Sequence, residues 1–292
     1  MKFEHEWIQN TLDSIDTEGT RIAYNKGFVR FWKWYSGEGE PDLTIHVINR
    51  FKRFLQNKGY AASTIAIDLC SIKLALHVNA RPNDCGDRLD LQDIRQLATI
   101  KKVKSDSNAV PLSIEERDKV LAACPPTLIG IRDLAVLTVL FYVGLRRGEV
   151  EKLDLKDYDQ VHNQFVIREA KHHKTRKLPL HPLVVERINA WLEIREALAT
   201  CEALFVNVHQ KKTTGKRLRG GNIYWILSNY CEEAGIAHYH PHDCRSTHIT
   251  LLHDNGIPVG DIQTLAGHSN AGTTIAYVKV NMNNLRKAVL TL

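Results

Sequence analysis

Hydrophobic residues recur every three or four positions along most of the chain, which is the spacing of amphipathic α-helices. In the first part of the chain this pattern predicts four helices, over residues 4–14, 20–35, 44–57 and 63–78. A short further helix is predicted over 91–97, after a turn-like stretch that begins at Pro82. The apolar stripes of these helices are rich in aromatic residues, which is typical of the core of a helical bundle.

The second part of the chain also has mainly the helical spacing of hydrophobic residues, but short stretches of it have the composition and spacing of β-strands. Ser113 and Glu116 form a capping-box pattern that predicts a helix start, and the apolar run 128–143 predicts a core helix that ends at Gly144. Two segments instead predict the short strands of a hairpin, 164–167 and 177–180, and 204–206 predicts a further strand. More helices are predicted over 182–199, 222–234, 241–254 and 259–266.

A polar stretch separates the two parts, and it begins with the basic run Lys101-Lys-Val-Lys104. We therefore predict a helical domain over 1–104, a linker over 105–111 and a second domain over 112–292. The predicted fold class is mainly α with two domains. The N-terminal domain is a bundle of four to five helices, and the C-terminal domain is helical with a small antiparallel β-sheet or hairpin.

The composition, 43% hydrophobic and 25% charged, is that of a soluble globular protein. No apolar run approaches the roughly 18 residues that span a bilayer, and acids stand where a signal peptide has its apolar core, so we expect a cytoplasmic protein with no membrane partner. The six cysteines contain no C-x-x-C pair, which predicts free thiols. The net charge of +6 is compatible with a polyanionic partner, and equally with an ordinary soluble protein.

The first candidate functional residues follow the core helix. Arg146 lies in a turn with Glu149 three positions later, where the carboxylate can hold the guanidinium while its fork faces a phosphate. A purely structural ion pair is the alternative. Lys171 begins the basic tip of the hairpin, which suits contact with a DNA groove, although a solvated basic loop has the same composition.

The second group lies near the C-terminus. His242 and Arg245 are three residues apart near the start of a helix, so they share one face. His268 follows a glycine at a turn, and Tyr277 lies nine residues beyond it. Taken singly, these residues have ordinary alternatives, such as a core histidine or the tyrosine of an amphipathic helix. Their joint order and spacing suit chemistry on a phosphodiester.

Several other cations are candidates for phosphate contacts, although each one alone is hardly distinct from a solvated charge. They lie on the predicted N-terminal helices, in the linker, in the hairpin, and ahead of the 222–234 helix, where free amides of a helix N-terminus favour an anion. The candidate DNA-binding residues are Lys52, Arg53, Lys73, Lys101, Lys102, Lys174, Arg176, Lys216, Arg217 and Arg219.

Together these motifs closely resemble the signature of the tyrosine recombinases, the group that includes phage integrases, Cre and the Xer proteins. Gly144-Leu-Arg146 with a glutamate at plus three matches the first box of that family. His242-Asp-x-Arg245, Leu265-Ala-Gly-His268-Ser and Thr273-Thr-x-x-Tyr277 match its second box. The resemblance covers the chain from about residue 111 to the end in its motifs, and the first 104 residues in layout.

The hairpin also fits, since Lys171 lies eight residues before Pro179, where the family keeps its catalytic lysine. Lys174 is close enough to leave open which of the two lysines acts as the general acid. The chain departs from the family pattern at Ser246, where a histidine is common, and at Ala266, where a leucine is usual. Neither departure removes a reacting group.

The resemblance implies a site-specific DNA recombinase that works without a metal ion, ATP or another cofactor. Tyr277 would attack the phosphodiester, form a 3′-phosphotyrosyl link and release a 5′-hydroxyl, which Lys171 would protonate. Glu149 would orient Arg146. The implied catalytic residues are Arg146, Lys171, His242, Arg245, His268 and Tyr277, with the two arginines on the non-bridging oxygens and the histidines adding hydrogen bonds.

The resemblance also implies how the protein meets its partner. The N-terminal domain would be a SAM-like core-binding bundle that closes on double-stranded DNA together with the catalytic domain. Four protomers would assemble on two recombination sites, with monomers or dimers in the absence of DNA and association with the nucleoid in its presence. A helix over about 281–292 would be exchanged between protomers, or would dock on its own domain.

Four other functions share some of these features. A type IB topoisomerase or a hydrolytic nuclease would use related chemistry, and a DNA-binding accessory protein would keep the fold with a degenerate site. A zinc protein would need His238, His240, His242 and Cys244 as ligands, but these residues are crowded on one short stretch. The box spacing and the complete set of reacting groups favour recombination.

Overall fold

The computed structural model describes residues 2–79, 111–168, 175–208, 212–237, 239–267, 272 and 274. The chain divides into two compact units, Met1–Asn108 and Ala109–Leu292. Both units are mainly helical, and the second also carries a small antiparallel sheet. The fold class predicted from the sequence is confirmed.

The described part of the first unit is a bundle of four helices: α1 (Glu6–Asp13), α2 (Glu18–Gly37), α3 (Ile45–Asn57) and α4 (Ala62–Asn79). These helices agree with the four predicted ones to within about two residues at each end. Their core is aromatic, since Phe28, Phe31, Tyr35 and Phe51 are fully buried. Stacked and edge-to-face ring pairs join these side chains, which adds directional packing to the burial of apolar surface.

Helices α2 and α4 approach closely at Gly27. A Cβ atom on this residue would lie 2.8 Å from Ser71 Oγ and 3.2 Å from Asp68 Cα, so the crossing requires a glycine. One turn further along α2, Arg30 Nε donates to Asp68 Oδ2 at 2.6 Å. The carboxylate of Asp68 is fully buried, and Arg30 neutralises it.

The second unit begins with α5 (Ile114–Ala122) and α6 (Leu128–Tyr142). The predicted capping box is present: Ser113 Oγ accepts from the Glu116 N–H at 3.1 Å, and Glu116 Oε2 accepts from the Ser113 N–H at 2.9 Å. Helix α6 is the central core helix, and Gly144 ends it with a φ of 65°. Thr247, far along the chain, accepts from the backbone N–H of Leu112 just ahead of α5.

A small sheet follows the short helix α7 (Arg147–Lys152), with β1 (Tyr158–Asp159), β2 (Gln164–Arg168) and β3 (Thr175–Pro179) in antiparallel order β1-β2-β3. The two predicted strands correspond to β2 and β3, and β1 is an addition. Phe165 pairs with Leu178, and Ile167 pairs with Arg176. Because alternate residues of a strand share a face, Arg176 lies on the same side of β3 as the buried Leu178.

The remaining helices are α8 (Pro182–Arg195), α9 (Gly220–Glu233), α10 (Pro241–Asp254) and α11 (Val259–Ala266). The strand predicted over 204–206 is not part of the sheet, since Ala203 and Val206 form only isolated bridges, to Asp154 and Arg217. The predicted helices over 91–97 and 281–292 and residues 105–110 of the predicted linker lie outside the described residues. Among the helices that are described, none is long and apolar enough to cross a membrane.

Candidate active site

Arg146 stands at the start of α7, where its backbone and side chain bind the same carboxylate. Glu149 Oε2 accepts from the Arg146 backbone N–H at 2.7 Å, and Glu149 Oε1 accepts from Arg146 Nη1 at 3.0 Å. The expected ion pair between these residues is therefore present. The side chain of Arg146 is 43% exposed, so the guanidinium is held in place and still faces solvent.

Arg245 lies on the first turns of α10, and its side chain is almost fully buried. Its Nη1 donates to the carbonyl of Gly144 at 2.8 Å, and its Nη2 donates to the carbonyl of Ala266. The first carbonyl lies at the end of α6 and the second at the end of α11. One guanidinium therefore joins three helices of the second unit.

The turn after α11 brings the two arginines together. Arg146 Nη2 donates to the carbonyl of Gly267 at 3.0 Å, next to the Ala266 carbonyl that Arg245 binds. Gly267 has a φ of 64°, in the left-handed region that favours glycine. The structure thus places Arg146 and Arg245 on adjacent peptide units, immediately before the position of His268 in the sequence.

A third arginine reaches the same place from the sheet. Arg176 Nη2 donates to Glu149 Oε1 at 2.9 Å, and only 9% of the Arg176 side chain is exposed. Arg176 is one of the DNA contacts predicted from the sequence, and in the structure its guanidinium binds Glu149. The alternation of β3 explains its burial, because Arg176 is in phase with Leu178.

Glu149 is ionised in spite of its surroundings. Burial is the largest influence on its carboxyl group and by itself would raise the pKa. The positive charges of Arg176 and Arg146 and their hydrogen bonds outweigh burial, and the pKa of Glu149 is lower than usual. The carboxylate therefore remains a negative bridge between two guanidiniums.

His242 lies one turn ahead of Arg245 on α10, and the positive charges of Arg245 and Arg146 both act on its imidazole. Partial burial and then the guanidinium of Arg245 lower the pKa of the His242 imidazole, and Arg146 adds to this effect, while Asp243 opposes it. The ring is therefore neutral near pH 7, with a nitrogen lone pair that can accept a proton or a hydrogen bond.

His248 is a residue of this region that the sequence analysis did not identify. It lies three positions after Arg245 and packs directly beneath Gly144, where a Cβ atom would lie 2.6 Å from the imidazole ring. Burial, with the charge of Arg245, lowers the pKa of His248 to about 4, although a hydrogen bond with the backbone of Phe141 opposes the shift. A neutral His248 thus supports the turn whose carbonyl binds Arg245.

Three of the predicted catalytic residues, Lys171, His268 and Tyr277, lie outside the described residues, as do the predicted DNA contacts Lys101, Lys102 and Lys174. The structure places the remaining predicted DNA contacts as follows. Lys52 and Arg53 lie on α3 and Lys73 on α4, all partly or fully exposed, and Lys216 is exposed in the loop before α9.

Two arginines near α9 have protein partners. Arg217 binds the carboxylate of Asp154 and, at 2.8 Å, the carbonyl of Glu151. The first amide of α9 was expected to favour an anion, and the carboxylate of Glu151 takes this place, accepting from the Gly220 N–H at 2.9 Å. Arg219 lies 3.3 Å from the same carboxylate, and its side chain is 75% exposed.

The zinc alternative does not fit the described residues. Cys244 is fully buried within the hydrophobic core of the second unit, whereas the side chains of His240 and His242 reach the surface, and His238 lies outside the described residues. The thiol therefore points away from the surface on which the two imidazoles lie.

The described part of the site is suited to binding a phosphate group. Arg146, Arg176 and Arg245 bring three positive charges to one turn, and Glu149 supplies a single negative charge. Arginine forks match the geometry of phosphate oxygens, and they stabilise charge best where they are fixed in advance by protein contacts. Such a site can stabilise the extra negative charge of a five-coordinate phosphorus.

Comparison with known proteins shows what the chain is similar to. The model of the phage integrase family matches residues 111–284. The tyrosine recombinase XerA of Thermococcus kodakarensis is 30% identical over 292 residues, which cover 99% of this chain and 95% of the relative. The match therefore extends over both units.

Solved structures share the fold. The XerH site-specific recombinase bound to a palindromic difH substrate in a post-cleavage complex matches with a TM-score of 0.74 and 18% identity, over 92% of this chain and 78% of that one. The Tn1549 transposon integrase in complex with transposon right end DNA matches with a TM-score of 0.70 and 17% identity, over 100% and 99% of the two chains.

Proposed function

The chain belongs to the phage integrase family and is a tyrosine recombinase, and from this premise we propose that it cuts and rejoins DNA through a covalent 3′-phosphotyrosyl intermediate on Tyr277. The main support is the pair of arginines on adjacent carbonyls of one turn. This turn directly precedes His268 and lies ten residues ahead of Tyr277 in the sequence.

In the proposed first step, the phenolic oxygen of Tyr277 attacks the phosphorus and forms a P–O bond, while the bond to the 5′-oxygen breaks. Arg146 and Arg245 bind the non-bridging oxygens, and His268 adds a hydrogen bond. The unperturbed pKa of tyrosine is about 10, so the cluster of positive charge must help it to ionise.

Proton transfer completes the step. His242 accepts the phenolic proton, for which its neutral imidazole is suited. Lys171 donates a proton to the departing 5′-oxygen, and Lys174 is the alternative donor. The phosphotyrosyl ester keeps the energy of the broken bond, so rejoining is the same step in reverse, with a 5′-hydroxyl as the attacking group. No metal ion or ATP enters this scheme.

The two arginines differ in how they would meet the DNA. Arg146 is 43% exposed and presents an open edge to a phosphate. Arg245 is 1% exposed, so we propose that DNA binding uncovers an N–H edge of this residue before cleavage. In this order of events Arg146 contacts the phosphate first, and Arg245 can contact it only after the protein–DNA complex has formed.

We further propose the division of labour between the parts of the chain. The helical domain over 1–104 binds the recombination site, with Lys52, Arg53 and Lys73 on phosphates. A linker over 105–111 follows, and the domain over 112–292 carries out catalysis, with Lys216 and Arg219 as DNA contacts. Four protomers assemble on two sites, and a helix over about 281–292 is exchanged between them.

Trapping of the covalent intermediate tests this function. Fragments of the DNA that flanks the gene are screened for covalent adducts, and the mapped site is rebuilt as a suicide substrate with a nick next to the cleavage position. The wild-type chain should accumulate an adduct on the 3′-phosphate, and Tyr277→Phe should accumulate none. Adduct formation by Tyr277→Phe would show that another residue is the nucleophile.

A second measurement separates recombination from related activities. With two sites on one supercoiled plasmid, the recombinase should produce the exchanged products. Relaxation of the plasmid without exchange would instead indicate topoisomerase activity. Binding without any adduct would indicate an accessory DNA-binding protein.

A further inference from the structure

Arg176 is the member of the arginine cluster to which the proposed chemistry assigns no step. It lies on β3, it is nearly as buried as the core residues beside it, and its guanidinium meets the two parts of the site that hold Arg146. One of these parts is Glu149, and the other is the turn at Gly267.

We propose that Arg176 is a positioning residue of the strand-transfer site, an inference that rests on the proposed function. It holds Glu149 in the orientation that fixes Arg146, and it supports the turn that precedes His268. It does so from within the protein and does not contact DNA.

The geometry of β3 supports this role. Thr175, Lys177 and Pro179 are exposed, whereas Arg176 and Leu178 lie on the inner face. A cation on the inner face of a strand is costly unless a carboxylate neutralises it. Glu149 is that carboxylate, with an Oε1 to Nη2 distance of 2.9 Å.

Glu149 is shared between two arginines. Its Oε1 accepts from both Arg146 and Arg176, at 3.0 and 2.9 Å, and its Oε2 caps the Arg146 backbone. Of the two guanidiniums, that of Arg176 is the more buried, with 9% of the side chain exposed against 43% for Arg146. Electrostatic attraction is stronger where water is excluded, so Arg176 is the firmer anchor for the carboxylate.

Arg176 also contacts the turn at Gly267. A Cβ atom on Gly267 would lie 2.1 Å from Arg176 Nη1 and 2.6 Å from its Cζ, so the guanidinium lies directly against this peptide unit. The carbonyl of Gly267 accepts from Arg146. Arg176 therefore presses on one side of a turn whose carbonyls bind Arg146 and Arg245.

The position of Arg176 in the chain gives this contact a second consequence. Lys171, the proposed general acid, lies five residues earlier in the sequence, between the residues that form β2 and β3. By fixing β3 to the turn, Arg176 links the two described elements that adjoin Lys171 and His268 in the sequence. Loss of this link should slow cleavage more than it weakens DNA binding.

The test uses the full chain with the suicide substrate of the proposed function. Arg176→Met removes the charge and the fork, and Arg176→Lys keeps the charge alone. Lys177→Met is the matched control, since it removes a cation from the exposed face of the same strand. Adduct formation is measured in single turnover at saturating DNA, and affinity is measured across a range of salt concentrations.

For Arg176→Met we expect a fall of about 10²-fold in the rate of adduct formation, which is the size of effect that misplaced catalytic groups produce. The rate for Arg176→Lys should lie between those of Arg176→Met and the wild type, and Lys177→Met should cleave DNA at the wild-type rate. The salt dependence of DNA binding should be unchanged in Arg176→Met. A reduction of its slope by about one, together with weaker binding, would identify a lost phosphate contact and overturn the proposal.

A double-mutant cycle with Glu149→Gln tests the route of the effect. If Arg176 acts through Glu149, adding Arg176→Met to Glu149→Gln should slow cleavage little further, whereas additive losses would overturn the proposal. A wild-type chain that forms no adduct would refute the proposed function. In that case the coupling between Arg176 and Glu149 is tested by the same double-mutant cycle, with the urea midpoint of unfolding as the measured quantity. Non-additive shifts of the midpoint support the coupling, and additive shifts refute it.

Discussion

Acidification should destabilise the second unit through His248. The pKa of this imidazole is about 4 in the folded chain against an ordinary value of 6.5. Since the folded pKa is the lower one, the unfolded chain takes up the proton first as the pH falls. The stabilisation is therefore complete above pH 6.5 and is lost progressively as the pH falls towards 4.

The size of the effect follows from the shift. A difference of 6.5 − 4, about 2.5 pKa units, corresponds to about 3 kcal/mol at roughly 1.36 kcal/mol per unit. About 2 kcal/mol of this should already be lost at pH 5. The cause is structural, because the ring packs against Gly144, and a proton on it would add a charge that is shielded from water and repelled by the guanidinium of Arg245.

The measurement compares the wild type with His248→Gln, whose amide can donate to the Phe141 carbonyl but does not titrate. The full chain is unfolded in urea at pH 7.5 and at pH 5, and unfolding is monitored by the hydrogen–deuterium exchange of peptides from α10. The exchange rates are corrected for their intrinsic dependence on pH. All other titrating groups are common to both proteins. The wild type should lose about 2 kcal/mol more than the variant, and equal losses would refute the assigned pKa.

Two further predictions concern other parts of the chain. Gly267→Ala places a side chain at a φ of 64° and against Arg176. The substitution should lower the free energy of unfolding by about 1–2 kcal/mol and slow adduct formation more than it weakens DNA binding. Unchanged stability and an unchanged rate would argue against a supporting role of the turn. Asp68→Asn leaves Arg30 without its buried carboxylate and should destabilise the first unit by about 3 kcal/mol. The control Asp13→Asn, an exposed change on α1, should alter the free energy of unfolding by no more than about 0.5 kcal/mol. Equal effects of the two substitutions would contradict the role of the ion pair.

The parts of the fold and site that could be predicted are those governed by local rules. The capping box of Ser113 and Glu116 and the pairing of Arg146 with Glu149 both depend on residues three apart, and both are present. The helices and the two main strands follow from periodicity in the same way. The segment 204–206 has the composition of a strand, but its neighbours are loops, so only isolated bridges form.

The long-range contacts of the site could not be predicted, because they end on backbone carbonyls. Arg245 binds the carbonyl of Gly144, 101 positions away, and Arg146 binds that of Gly267, 121 positions away. Every residue has a carbonyl, so no side-chain pattern indicates such partners. For Arg176 a signal did exist, since it lies two residues before the apolar Leu178 and therefore on the same face of β3, but its charge alone predicted a place on the surface.

The turn at Ala266 and Gly267 has a consequence for how tolerance to mutation will be distributed over the site. What these residues contribute to Arg245 and Arg146 is oxygen atoms of the main chain, which no substitution deletes. A saturation screen for recombination should therefore find position 266 limited mainly by the volume available to a side chain that is 5% exposed, so that alanine serves where a leucine is usual. Position 267 should accept almost nothing but glycine, and an alanine scan would miss the role of Ala266 altogether.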